Sequence, residues 1–158
     1  MRSKSMASVV SLGVLVASFA FLNLNLAQGS NHRTLRAELD GANEVCDLAT
    51  CNDPDGTGRA VVQLDGQNNR VCFKLRWAFI QAPYGAHIHR GAAGTEGPVK
   101  VTLFTARDLS RGVRMIGGCA RGVKDALMNR ILDNPQGFYV NIHTPFYEGG
   151  AIRGQLHQ

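Results

Sequence analysis

The chain has no cluster of lysine or arginine and no nucleic-acid-binding motif. Its formal charge of +5 falls to +3 once the first 29 residues, which carry Arg2 and Lys4 and no acid, are set aside. So mild a balance gives no ground for a nucleic-acid partner, although one face can still attract a small anion. No internal repeat or low-complexity segment divides the chain. There is no Cys-x-x-Cys pair, which argues against a four-cysteine zinc site. After residue 30 no apolar run is long enough to span a bilayer.

What is there begins with an address. Met1 to Met6 is basic, Ala7 to Leu26 is apolar and uncharged, and small residues follow at Ala27 and Gly29. This is the pattern of a secretory signal peptide, residues 1–29, cut after Gly29. Residues 30–158 then form one domain, a size that supports one core. The expected location is secreted or periplasmic. A membrane is a partner only if the apolar segment stays uncleaved.

All four cysteines, Cys46, Cys51, Cys72 and Cys119, fall in the exported part. An even number in an oxidising compartment argues for disulfides, and four cysteines allow three pairings. The favoured one joins Cys46 to Cys51 across a small loop and Cys72 to Cys119 as a long-range staple.

Period-two alternation recurs along the domain. Thr34 to Leu39 points Leu35, Ala37 and Leu39 one way. Gly58 to Leu64 does the same with Ala60, Val62 and Leu64. After a turn at Asp65–Asn69, Arg70 to Ala78 sets Val71, Phe73, Leu75 and Trp77 inward, with Trp77 as a core anchor. Val99 to Phe104 adds Val99, Val101 and Leu103, and Ala151 to Leu156 adds Ile152 and Leu156. Residues 40–55 and 105–122 read as loops, the second with room for a short strand at Val113–Cys119. Val123, Leu127 and Ile131, four apart, predict one short helix. The fold class is all-β, an antiparallel Greek-key sandwich or barrel with one helix.

The chemistry concentrates in two strands. In Gly85-Ala86-His87-Ile88-His89 the two imidazoles share one face and Ile88 takes the other. In Phe138-Tyr139-Val140-Asn141-Ile142-His143 the apolar residues again go one way, and His143 lies opposite with Tyr139 and Asn141. Three of the five histidines can therefore meet on the outer face of a sheet. Imidazole is the commonest metal ligand and suits copper, zinc, iron or nickel. The competing reading is three surface histidines, or a hydrogen-bonded cluster without metal. Arg153 shares a face with Gln155 and His157, and lies near the histidines if its strand neighbours theirs.

Three blocks carry a family resemblance: Ala86-His87-Ile88-His89-Arg90-Gly91 through Gly97-Pro98-Val99, Asn134-Pro135 through His143-Thr144, and Gly150 through Leu156. Together they resemble the CHRD domain, named from chordin and common in exported bacterial proteins, over roughly residues 34–157. The resemblance implies secretion and a β-rich fold. The order of His-x-His, glycine-rich turn, late histidine strand and Gly-x-x-Arg is also similar to copper-zinc superoxide dismutase. That second resemblance implies copper at His87, His89 and His143, and a catalytic, anion-guiding role for Arg153. The connection at 90–98 is short and holds no histidine. A second, zinc site and a fourth copper ligand are therefore not expected, and zinc is the less favoured metal.

The expected function is an exported copper site of three histidines, with superoxide dismutase-like activity toward a small anion such as superoxide. The alternative is a non-enzymatic copper-binding or protein-interaction domain. Glu96 and Glu148 are candidate outer partners of the ligands. A further expectation concerns a chain beginning Ser30-Asn31-His32. Its amine, two amide nitrogens and third-position imidazole would suit Cu(II) or Ni(II) in a square plane.

Overall fold

The structure is a computed structural model and describes residues 32–45 and 52–158. The expected signal peptide, Ser30, Asn31 and the Cys46–Cys51 pair lie outside the described residues.

Among the described residues there are eight strands, β1 (His32–Asp40), β2 (Thr57–Asp65), β3 (Arg70–Ala78), β4 (Gly85–Arg90), β5 (Val99–Thr105), β6 (Met115–Arg121), β7 (Phe138–His143) and β8 (Ile152–Gln155). One helix, α1 (Asp125–Asp133), stands between β6 and β7. All ladders are antiparallel, in the order β5-β4-β7-β8-β1-β2-β3-β6. The two edge strands, β5 and β6, come back beside each other, so the sheet curls into a nearly closed barrel. The chain leaves β3 for β4, returns through β5 to β6 beside β3, and leaves again for β7 beside β4. Those excursions are Greek keys.

The alternation in the sequence becomes the barrel interior. Leu35, Ala37, Leu39, Ala60, Val62, Leu64, Val71, Leu75, Trp77, Ile88, Val140 and Ile142 are all buried in one cluster. Each leucine, valine or isoleucine among them contributes about 1.5–3 kcal/mol on full burial. Trp77 is the expected anchor, although its indole N–H has no partner among the described residues.

One expectation needs correction, and another needs its bounds moved. Val99 was assigned inward but is 47 % exposed, because it opens β5 at the rim of the barrel. The short strand that the sequence allows at Val113–Cys119 runs instead over Met115–Arg121 and makes a full ladder with β3. This strand carries Gly117 and Gly118 and has no buried residue, so it lacks the alternating signal. Its register places Cys119 directly opposite Cys72, and the two are bridged at a Cα separation of 3.9 Å. In the helix, Met128 and Ile131 form the buried stripe and Val123 is buried just ahead of it.

Candidate metal centre

β4 and β7 are neighbours, and their register decides the site. Gly85 faces His143, His87 faces Asn141, and His89 faces Tyr139. Irregularities in the β4–β5 ladder flank both His87 and Ile88, so β4 is locally bent where its imidazoles leave the sheet. One ring nitrogen from each of His87, His89 and His143 lies within 4.8 Å of the other two. Three nitrogens each roughly 2.0–2.1 Å from one ion would stand about 3.3–3.6 Å apart. A small inward movement therefore brings the set to ligand spacing.

Hydrogen bonds fix which nitrogens face inward. His89 Nδ1 donates to the carbonyl of Gly97 at 2.9 Å, and His143 Nδ1 donates to the carbonyl of Glu148 at 2.9 Å. Carbonyls only accept, so both rings are held in the tautomer with the lone pair on Nε2. His143 Nε2 receives His87 Nδ1–H at 3.0 Å. His89 Nε2 is buried and has no partner among the described residues. An unpaired buried acceptor costs about 1–3 kcal/mol, and this one opens toward two other imidazoles. The residues present therefore fit a metal ion. His89 and His143 would bind through Nε2 and His87 through Nδ1, the last after its proton moves to Nε2.

Electrostatics keeps all three imidazoles neutral. Burial drives the His87 pKa down to about 4, with His143 and His89 adding to the effect. Burial also lowers His89 and His143, against the bonds to Gly97 and Glu148 that pull the other way. Neutral imidazole is the ligand form.

The face was expected to lie open, and it does not. His89, His143, Asn141, Tyr139 and Arg153 are all buried, and His87 is half-buried. Two loops form the cover. The 91–98 connection sends Gly97 N–H to the Tyr139 hydroxyl at 3.2 Å and receives His89 and Arg153 on the carbonyls of Gly97 and Ala92. The 144–151 loop supplies the carbonyls of Glu148 and Gly149, the latter to Asn141. Of the two glutamates singled out in the sequence, Glu96 is exposed, and Glu148 is used only through its backbone.

Arg153 does neighbour the site, since β8 pairs with β7 and Arg153 faces Asn141. It is only 1 % exposed and so is not an ordinary solvated arginine. Its guanidinium carbon stands 3.4 Å from the centre of the Tyr139 ring, while the His89 ring stacks on the same tyrosine at 4.9 Å. β7 lies between β4 and β8, so imidazole and guanidinium reach that ring from opposite neighbours. A cation against an aromatic face is favourable, more so when desolvated.

Sequence reasoning missed Glu44, which follows the 3-10 turn Gly41–Asn43 and bonds to Asn141. It also missed a cationic cavity of about 480 Å³ at the β5–β6 seam, where Arg90, Lys100, Arg121, Lys124 and Arg130 converge. Those residues are scattered over forty positions, so no local charge run announces them. The expected amino-terminal copper motif falls largely outside the described residues, with the backbone of His32 opening β1.

A family comparison completes the description. The model for the CHRD domain matches residues 35–156. The chain belongs to the CHRD-domain family. No curated protein and no solved structure matches the chain significantly. The CHRD domain is of extracellular type, and the Cys72–Cys119 disulfide is consistent with export. The matched region contains the whole histidine face, Arg153 and both cover loops.

Proposed function

We propose that the chain is an exported CHRD-domain protein whose His87, His89 and His143 bind one copper ion. The observation that carries this reading is the buried Nε2 of His89, unpartnered among the described residues and held in its lone-pair tautomer by Gly97, in a cluster of three imidazoles with ring nitrogens within 4.8 Å of one another. Nitrogen ligands prefer copper among the available divalent ions, and zinc is the weaker candidate. Bound there, copper would supply one-electron chemistry and an open coordination position. The chain's own residues supply the rest. Gly97 and Glu148 orient the rings, Tyr139 and the two loops exclude water, and Arg153 places a positive charge behind His89.

That positive charge favours a dismutase-like reading, in which a small anion such as superoxide is drawn to the site. The near-complete cover favours the second reading, a copper store or carrier without turnover. Metal analysis of protein exported in copper-replete medium, followed by a superoxide assay, separates them. Copper with turnover supports the enzyme, and copper without turnover supports the carrier. Absence of bound metal refutes both and leaves an extracellular interaction domain.

A further inference from the structure

Asn141 sits between His87 on one neighbouring strand and Arg153 on the other. Its amide donates from Nδ2 to Glu44 Oε2 at 3.3 Å and to the Gly149 carbonyl at 3.4 Å. The other half of each group is unaccounted for. Among the described residues, Glu44 Oε1 and Asn141 Oδ1 are both buried and without a partner. Both lie 2.6 Å from the point a Cβ on Gly150 would occupy, so they face the same small space. Two acceptors bordering one space out of water are each left with a desolvation cost. Turning the Asn141 amide over exchanges the contacts, leaves an acceptor against an acceptor again, and gives up the bond to Gly149.

One hydrogen resolves both defects. We propose that Glu44 serves this site as a neutral carboxylic acid that donates from Oε1 to Asn141 Oδ1, leaving Arg153 as the uncompensated buried charge beside the histidines. Acid and amide then form a two-bond ring that fastens the segment after β1 onto the histidine strand. The surroundings support the protonated form. Burial is the leading influence on Glu44 and pushes its pKa up to about 8, against Arg153 and the Asn141 bond. The charged groups facing it are Arg153 from β8 and Glu96 from the loop after β4. Tyr139 on β7 is kept neutral, chiefly by its own burial. An ionised Glu44 would cancel much of the Arg153 field, whereas a neutral one leaves it directed at His89. Glu44 is thus a positioning residue that sets the local charge. Only its consequence at the metal rests on the copper reading.

The acid itself is tested on metal-free mature protein. Infrared spectra of wild type near neutral pH should show a carboxylic-acid carbonyl stretch that Glu44→Gln removes, and that fades as pH rises through about 8. Glutamine keeps both bonds of the ring, donating from Nε2 and accepting on Oε1. The variant should therefore match wild-type stability at low pH. It should lack the decline wild type shows as pH rises from about 4.5 to about 8. Glu44→Ala should lower the unfolding midpoint throughout, and if it fails to fold the glutamine variant still decides. No acid band assignable to Glu44, or identical pH profiles for wild type and Glu44→Gln, would overturn the proposal. In a separate arm, Cu(II) affinity should rise roughly several-fold more in wild type than in Glu44→Gln as pH passes from below to above the Glu44 transition. Equal rises would remove the electrostatic consequence. Failure of both proteins to bind copper would sink the metal reading and leave the infrared result to stand or fall by itself.

Discussion

Two strand pairs in this barrel place reactive side chains face to face, and they do so in opposite ways. On β3 and β6, Cys72 and Cys119 meet across the ladder at a half-buried to exposed position and close a covalent bond. On β4 and β7, three imidazoles meet under a cover and close only one hydrogen bond among them, leaving a buried His89 nitrogen unpaired among the described residues. The first pair ties down a strand that contributes no residue to the buried core. The second spends desolvation on polar groups in a region whose reverse face, Ile88, Val140 and Ile142, is fully packed. The covalent staple and the histidine cluster thus lie on different strand pairs of the barrel, and each should be removable without the other.

Four perturbations test that division. The largest effect should come from the staple. The disulfide joins residues 47 apart, and the chain-entropy model gives ~4 kcal/mol for closing a loop of that size. Replacing Cys72 and Cys119 by serine should therefore lower denaturant stability by about 3–4 kcal/mol while leaving copper affinity unchanged. An accompanying loss of copper would show that the two sides are coupled.

Next is the imidazole with the unpartnered nitrogen. His89→Ala should reduce copper affinity by roughly 100-fold or more, beyond the 10–100-fold typical of an orienting partner. Unfolding of the metal-free form should change far less than for the disulfide variant. Calorimetric titration and chemical denaturation read the two quantities side by side.

A smaller effect should follow from the support of that ring. A Cβ on Gly97 would stand 1.6 Å from the Arg90 carbonyl oxygen, so Gly97→Ala must displace the 91–98 loop. The carbonyl that holds His89 Nδ1 moves with it, and affinity should fall roughly 10–100-fold. Retained affinity would mean that the loop does not orient the ligand.

The smallest is a pH effect on the metal-free protein. All three histidines have folded-state pKa values below the unfolded value of 6.5, His87 at about 4. The unfolded chain therefore binds more protons in between, so stability is held above 6.5 and lost as pH falls toward 4. His87→Gln should flatten part of that slope, as followed by thermal unfolding at stepped pH. A slope unchanged by the substitution would place the acid sensitivity elsewhere.

Much of this arrangement was legible in the residues because strands have an invariant period of two. The parity of Ile88 against His87 and His89, and of Val140 and Ile142 against His143, is enough to put three imidazoles on one face. The order of the blocks was enough for the family. What was not legible came from backbone groups. The partners of His89, His143 and Arg153 are the carbonyls of Gly97, Glu148 and Ala92, which any residue could offer. The cover over the face is built from those carbonyls, so a face that alternates polar with apolar looked solvated and is not. Glu44 was hidden for a related reason. It is one acid among several in the stretch after β1, and only the fold brings it within reach of Asn141. β6 was only half legible, as a short strand at Val113–Cys119, because glycine and surface residues carry no alternation; its bounds are Met115–Arg121.

The central claim is that three imidazoles from two adjacent strands hold one copper ion. Titration of metal-free mature protein with copper, beside His143→Ala, tests it most directly, with nitrogen coordination read by electron paramagnetic resonance. The account predicts one tightly bound ion with imidazole nitrogen ligands in the wild type, and loss of that site in the variant. No tight binding in the wild type, or a site of unchanged affinity and unchanged nitrogen signal in His143→Ala, would contradict it.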